Sequence, residues 1–361
     1  MSRQRPARGA TRPALEHGCL AAGLLLAVLA AACGEAAERA PPLPPPQATY
    51  RYDDLLTLAH VQLEGTHNSY HVPREDNTAA AWSARQAPLG VQLAEQGVRA
   101  VELDLNLAAD PGHFEVFHLR GLDEETTCRA FTDCLAALRA FSGDHPLHQP
   151  ILVQLEPKEG FDPAAAEGYF TKLEAELLGV LPRDRLVTPD DVQGDAATLA
   201  EAVATTGWPT LGATRGKFLF FFDDHAQVRE AYTRGGQSLA GRLLFTDSSP
   251  ADPYGAVAVL NDPVANGPAI ADALAAGFLV RTRADSDSVE PLAGDTTRLD
   301  AALASGAQIV STDYPARVPG LAYYLELLGG TPSRCNPVTA PSECSSLAIE
   351  DPALLEPPAT P

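Results

Sequence analysis

Short runs of neighbouring apolar residues recur along this chain, and most of them end in a side chain able to do chemistry. Eight runs read as strands: Val61 to Thr66, Val98 to Val101, Phe114 to Phe117, Ile151 to Leu155, Lys217 to Phe222, Ala256 to Leu260, Phe278 to Val280 and Gln308 to Ser311. They are rich in Val, Leu and Phe and do not alternate with polar residues, the pattern of strands buried on both faces. Helical spacing fills the gaps, over Pro88 to Gln96, Thr132 to Ser142, Pro163 to Leu181, Thr198 to Thr205, Gln227 to Tyr232, Pro268 to Ala276 and Thr297 to Ser305. Eight strands alternating with helices predict an α/β barrel of eight parallel strands. An open doubly wound sheet is the alternative, but the glycine-rich turn that usually follows its first strand is absent.

The strand ends carry His67-Asn68, Glu102 and Asp104, His118, Glu156, Asp223-Asp224, Arg281 and Arg283, and Asp313. In a parallel barrel these tips meet at one rim, where such folds place their sites. Caps and turns also attract Asp and Asn, so Asp224 and Asp262 are expected to be structural.

Asn68, Glu102, Asp104 and Glu156 offer oxygen donors with three negative charges, a set suited to Ca2+ or Mg2+ rather than to a softer metal. Glu102 and Asp104 are two apart on a strand and therefore share a face. Singly, each carboxylate is better explained as a salt-bridged strand end; the group is not. His67 and His118 are the candidate proton-transfer groups, because imidazole titrates near neutrality. His60, His71, His113, His145, His148 and His225 are read as hydrogen-bonded structural residues.

Hydrophobic residues make up 45% of the 361, enough for a real core. The net charge of −21 disfavours nucleic acid and anionic membranes at long range. An anionic substrate would then need a local cation; equally, the acidity serves solubility. Residues 1–33 read as an export signal, with arginines at 3, 5, 8 and 12, the apolar run Leu20 to Ala32 and a cleavage-like Ala30-Ala31-Ala32. The run is too short to span a bilayer comfortably. Its ending in Cys33-Gly34 is similar to a bacterial lipoprotein box with Cys33 lipidated, although Ala30 stands where leucine is usual. The chain is thus expected to be exported, either membrane-anchored or secreted. Residues 34–48 read as a Pro-rich linker, 49–330 as the barrel domain and 331–361 as a Pro-rich tail. In an exported protein Cys128, Cys134, Cys335 and Cys344 favour disulfides, local pairing being the simplest of three connectivities. Zinc is the rival, without close C-x-x-C spacing to support it.

Gly65-Thr66-His67-Asn68-Ser69-Tyr70, Val101-Glu102-Leu103-Asp104, Val116-Phe117-His118 and Ile151 to Glu156 together resemble the phosphoinositide-specific phospholipases C, above all their calcium-dependent, secreted bacterial branch. Weaker likeness runs from Phe278 to Asp285 and from Ser311 to Pro315. The resemblance implies a distorted TIM barrel and attack of an inositol 2-hydroxyl on the adjacent phosphodiester of a membrane phosphoinositide, releasing diacylglycerol and a 1,2-cyclic inositol phosphate. It implies Ca2+ on Asn68, Glu102, Asp104 and Glu156. It makes His118 the general acid, and His67 a phosphoryl-binding group that also helps accept the proton, with Glu102 the rival base. Lys158, Lys217, Arg281 and Arg283 are candidate phosphate or inositol ligands and Tyr314 a stacking ring, each also compatible with a rim salt bridge. A monomer is expected, with no nucleic-acid partner and no membrane span beyond the signal. Two rivals remain: a glycerophosphodiester phosphodiesterase, which shares the E-x-D pair and the Thr312-Asp313-Tyr314-Pro315 ending, and a lipoprotein that binds an inositol headgroup without turnover.

Overall fold

The computed structural model describes residues 50–108, 112–224, 226–327 and 332–355. The expected export signal, Cys33 and the whole of the Pro-rich linker, residues 34–48, lie outside the described residues. Ten strands form one sheet: β1 (Val61–Thr66), β2 (Ala100–Leu107), β3 (Phe114–Val116), β4 (Ile151–Glu159), β5 (Phe218–Phe222), β6 (Phe245–Thr246), β7 (Val257–Val259), β8 (Leu279–Arg283), β9 (Ile309–Thr312) and β10 (Ser333–Cys335). Eight of them run parallel in the order β6-β5-β4-β2-β1-β9-β8-β7. A bridge between Asp247 and Val257 brings the two ends together, so the sheet is a nearly closed barrel, as expected for a distorted TIM barrel.

The membership of the barrel corrects one expectation. Phe114–Val116 is not a barrel strand; it folds back antiparallel on the outer end of β2, Leu105 opposite Val116. The eighth barrel strand is Phe245–Thr246, only two residues long, which pairs with β5. A two-residue strand leaves no periodic signal, whereas a hairpin strand with both ends buried looks as apolar as a barrel strand.

The helices form where spacing predicts them, including Leu89–Ala94, Phe131–Asp144, Leu199–Thr205, Gln227–Tyr232 and Thr297–Ala304. The stretch from Pro163 begins as a 3-10 turn before the helix Ala166–Val180, with the Asp162 carboxylate accepting from the Ala164 N–H. Apolar faces of these helices and the outward positions of the strands make one continuous core of buried Leu, Val, Ile and Phe.

Inside the barrel, Glu102, Gln154, Phe221, Arg281, Ile309 and Ser311 surround one small space. The interior is therefore charged toward the carboxyl ends of the strands. The cysteines pair locally, Cys128 with Cys134 and Cys335 with Cys344. The second bridge follows β10, which adds antiparallel to β1 with Val61 opposite Cys335. Beyond it Glu350, wholly buried, accepts from Arg99 Nε at 2.8 and 3.0 Å.

Candidate active site

Parallel register decides which carboxylates meet. Asp104 on β2 lies opposite Glu156 on β4, and Glu102 opposite Gln154. Because strand side chains alternate, Glu102, Asp104 and Glu156 face one side, and an oxygen from each lies within 4.8 Å of the others. Glu102 and Asp104 are buried and Glu156 is half-buried. The register slips immediately afterwards: Leu105 faces Pro157, but Asn106 faces Glu159. Lys158 is the extra residue of this bulge, a device that re-aims side chains next to sites. Its ammonium bridges Glu156 at 2.5 Å and Asp104 at 3.1 Å.

Asn68 stands on the turn that follows β1. It has φ of +44°, a left-handed conformation that Asn tolerates better than most residues. Ser69 ties the turn to β2: its N–H donates to the Glu102 carbonyl at 3.0 Å and its hydroxyl accepts from the Glu102 N–H at 2.7 Å. The Tyr70 hydroxyl donates to Asn68 Oδ1 at 3.3 Å. Burial and the nearby Asp104 charge push the Tyr70 phenol well above its ordinary pKa, so the hydroxyl stays protonated.

Each histidine is held by a buried carboxylate. His67 Nδ1 lies 2.7 Å from Asp313 Oδ1. A carboxylate only accepts, so the Nδ1 proton points at Asp313 and Nε2 carries the lone pair, toward which Arg283 donates. Nε2 is 3.4 Å from Arg283 and 4.0 Å from Glu102. Burial, then the Arg283 guanidinium, hold the His67 pKa well below that of ordinary histidine, so the ring is neutral at pH 7. His118 Nδ1 lies 2.9 Å from Asp123 Oδ2, leaving its Nε2 free. Burial alone would raise Asp123, but hydrogen bonds from His118 and His71 bring it down to about 2. His71 uses both ring nitrogens, on the Ala84 carbonyl at 2.8 Å and on Asp123 at 3.0 Å. Two acceptors require two N–H donors, so His71 is an imidazolium, in keeping with a pKa that Asp123 raises against the opposing effect of burial.

The candidate substrate ligands separate. Arg283 stays beside His67 and Asp313 (3.3 Å), with a buried Nε that has no hydrogen-bond partner among the described residues. Arg281 is spent inside the barrel, donating to Glu102 Oε2 at 2.6 Å, to Ser311 at 3.2 Å and to Asn261. Lys217 precedes β5, at the opposite end of the barrel from Glu156. Tyr314 is buried in a small cluster against Tyr323 with its hydroxyl on Ser288 at 3.0 Å, so its ring is committed to packing and not presented for stacking. Sequence reasoning missed Asp123, and it named Asp313 only as a strand end. Asp123 stands in a loop five residues after His118 and gives no periodic signal.

The carboxylate group fits a hard divalent cation on its own chemistry. Three acidic oxygens converge, and burial followed by the charge of Glu156 pushes the Asp104 carboxyl well above its usual range. Such a cluster is strained by like charge, and an oxygen-seeking cation relieves it.

Comparison with known proteins agrees with the fold. Residues 108–337 match the family described as phosphoinositide phospholipase C, Ca2+-dependent. Among solved structures, a calcium-dependent phosphoinositol-specific phospholipase C from Pseudomonas sp. superposes with a TM-score of 0.53 at 18% identity, over 79% of this chain and 97% of that one. Its myoinositol complex gives 0.54 at 18%, over 78% and 96%. The Ca2+-dependent phosphatidylinositol-specific enzyme of Streptomyces antibioticus gives 0.52 at 22%, over 72% and 95%. At these identities the structures establish the shared fold. No curated protein matches the chain. The matched span includes His118, Glu156 and Arg283 and is well over half of the sequence, and on that match the chain belongs to the Ca2+-dependent phosphoinositide phospholipase C family.

Proposed function

We propose that this protein cleaves phosphatidylinositol by attack of the inositol 2-hydroxyl on the adjacent phosphodiester, releasing diacylglycerol and inositol 1,2-cyclic phosphate. One observation carries the reading: three convergent carboxylates stand beside two imidazoles, each of which is anchored through Nδ1 on a buried aspartate. Family membership favours this reading over the glycerophosphodiester and non-catalytic alternatives.

Asn68, Glu102, Asp104 and Glu156 are the residues that would hold Ca2+, which when bound lowers the pKa of a hydroxyl nucleophile and offsets charge on phosphoryl oxygens. The rest of the mechanism belongs to the side chains. His67, neutral with Nδ1 fixed on Asp313, accepts the 2-hydroxyl proton at Nε2. Glu102 is the weaker candidate for that base, because Arg281 already neutralises it at 2.6 Å. His118 donates from Nε2 to the leaving diacylglycerol oxygen, and Asp123 stabilises its imidazolium before transfer. Arg283 and Lys158 are the cations close enough to steady the phosphate. The nucleophile and the phosphodiester share one molecule, so orientation supplies much of the rate.

Phosphorus NMR of the protein with phosphatidylinositol is the test. The cyclic phosphate resonance is expected to grow with Ca2+ and to stop growing in excess EGTA. Turnover undiminished by EGTA, or turnover of glycerophosphocholine alone, would overturn the proposal. The two local disulfides fit an exported protein, and we read Cys33 as its point of lipid attachment. No helix among the described residues is long and apolar enough to cross a membrane.

A further inference from the structure

A second cavity lies on the flank of the barrel and shares no residue with the catalytic group. It measures about 490 Å3, within the range of about 300–1,000 Å3 typical of small-ligand sites. It forms where the outer layer is thin. The crossover from β1 to β2 contributes only the six-residue helix Leu89–Ala94, and residues 313–327, which follow β9, contain no helix. Glu64 projects into this gap. On β1, Gly65 faces the barrel interior, where a side chain would meet Ile309 and Ala100, so its neighbour Glu64 faces outward.

Glu64 is 95% buried, at 5% exposure, and its Oε1 has no hydrogen-bond partner among the described residues. Gln96, which lines the same cavity, also has a buried side-chain oxygen without a partner. Glu64 and Gln96 both line the cavity, and each keeps one unpaired oxygen just behind its wall, although an unpaired buried polar group costs about 1–3 kcal/mol. The cations lining the cavity are already engaged: Arg99 holds Glu350, and Arg317 donates to the Tyr324 hydroxyl. Further out stand Glu326 and Glu95, both exposed. The Glu326 charge, after burial itself, disfavours ionisation of Glu64 in the empty cavity. Apolar Leu93, Phe141 and Leu327 make up much of the wall between.

We propose that this cavity binds a linear aliphatic diamine, with one ammonium on Glu64 and Gln96 and the second at the rim on Glu326 or Glu95. A primary ammonium has three N–H donors, enough for the Glu64 carboxylate and, once its amide turns to the cavity, the Gln96 oxygen. A quaternary ammonium has none and cannot. The apolar wall suits a methylene chain, and carboxylates at both depths suit two charges.

The test uses the full chain in saturating Ca2+, so that the catalytic carboxylates do not compete, with calorimetry and thermal unfolding as readouts. The probes are 1,5-diaminopentane, propylammonium and tetramethylammonium chlorides at equal ionic strength. Saturable diamine binding with a raised Tm is expected, with propylammonium weaker and tetramethylammonium inactive. Glu64→Gln is expected to weaken diamine binding by about tenfold or more, the scale of one charged hydrogen bond, while phosphatidylinositol hydrolysis is unchanged. Gln96→Leu serves as a second variant and is expected to weaken binding as well. No saturable binding, equal binding of tetramethylammonium, or full binding by both variants would overturn the proposal. So would a crystal soaked in the diamine that shows only water on Glu64. Failure of the phospholipase reading would leave each of these outcomes interpretable.

Discussion

Replacing Lys158 with methionine is expected to tighten Ca2+ binding, although it removes a residue from the site. Without the divalent ion, the Lys158 ammonium is the cation that offsets Asp104 and Glu156, at 3.1 and 2.5 Å. Ca2+ bound by those carboxylates competes with it. At an effective dielectric near 20, one charge pair about 3 Å apart is worth roughly 5 kcal/mol gross. Desolvation and the lost freedom of the lysine side chain offset much of this. Glu156 is one-third exposed, so its pair is the weaker one; Asp104 is wholly buried and dominates. A net competition of about 1.4–2.8 kcal/mol follows, or a Kd for Ca2+ that falls about 10- to 100-fold in the variant. Titration calorimetry of the protein without substrate measures it directly. The same argument fixes a second readout: with EDTA the variant melts below wild type, and added Ca2+ closes or reverses the gap. Lys217→Met, at the other end of the barrel, is the control and leaves the Kd within about twofold. An unchanged or weaker Ca2+ affinity in Lys158→Met would refute the reasoning.

Three further outcomes are expected. His118→Ala lowers kcat by about 10²–10⁴, and Asp123→Asn lowers kcat with little change in KM, because its carboxylate is engaged by His118 and His71; steady-state kinetics on phosphatidylinositol checks both, and a near-normal rate in purified His118→Ala would remove His118 from the mechanism. Burial drops the His148 pKa to about 3 from an ordinary 6.5; the unfolded chain then binds the extra proton between those values, so stability rises with pH across this window by up to about 1.4 kcal/mol per unit. Urea unfolding at pH 6.5 and 4.5 is expected to show a shallower pH slope in His148→Gln, and an unaltered slope would contradict the assignment. Glu350→Gln leaves the Arg99 guanidinium buried without its counter-charge; removing one partner of such a pair costs about 3–5 kcal/mol, readable as a fall in the denaturation midpoint, whereas a surface tail would show none.

The carboxylate pair and the parallel barrel are legible in the sequence for the same reason. Both depend on period: a step of two residues from Glu102 to Asp104 puts them on one face, and apolar runs spaced by helical segments close into parallel strands whose ends share a rim. What the sequence hides is pairing between elements. Phe114–Val116 satisfies every local criterion of a barrel strand, and only its partner, the overlong end of β2, shows that it is a hairpin strand. Phe245–Thr246 satisfies none, yet the barrel needs it. Arg281 is similar: by position it is one more rim cation, and only the closed interior shows that its guanidinium is enclosed by Glu102, Ser311 and Asn261.

Side-chain partners explain why two chemically equal histidines receive different tasks. His67 and His118 both anchor Nδ1 on an aspartate, so tautomer does not distinguish them. The charges around them do. His67 faces the Arg283 guanidinium, which disfavours a second proton and keeps Nε2 an acceptor. His118 leans on an aspartate held at about 2 and has no guanidinium among its hydrogen-bond partners. Hydrogen bonds from His118 and then His71 keep Asp123 charged, and His71, an imidazolium between it and the Ala84 carbonyl, supplies the counter-ion. His71 is thus structural in its contacts, and still sets the acid–base polarity of the pair. Replacing it with glutamine, as in His71→Gln, keeps an N–H donor but removes the positive charge, so Asp123 would bind a proton more readily and anchor His118 less firmly. His67 keeps its Asp313 and Arg283 partners, so the acidic limb of the pH–rate profile is expected to stay in place while kcat on phosphatidylinositol falls. An unchanged kcat, or a displaced acidic limb, would mean that the two imidazoles do not divide the work in this way.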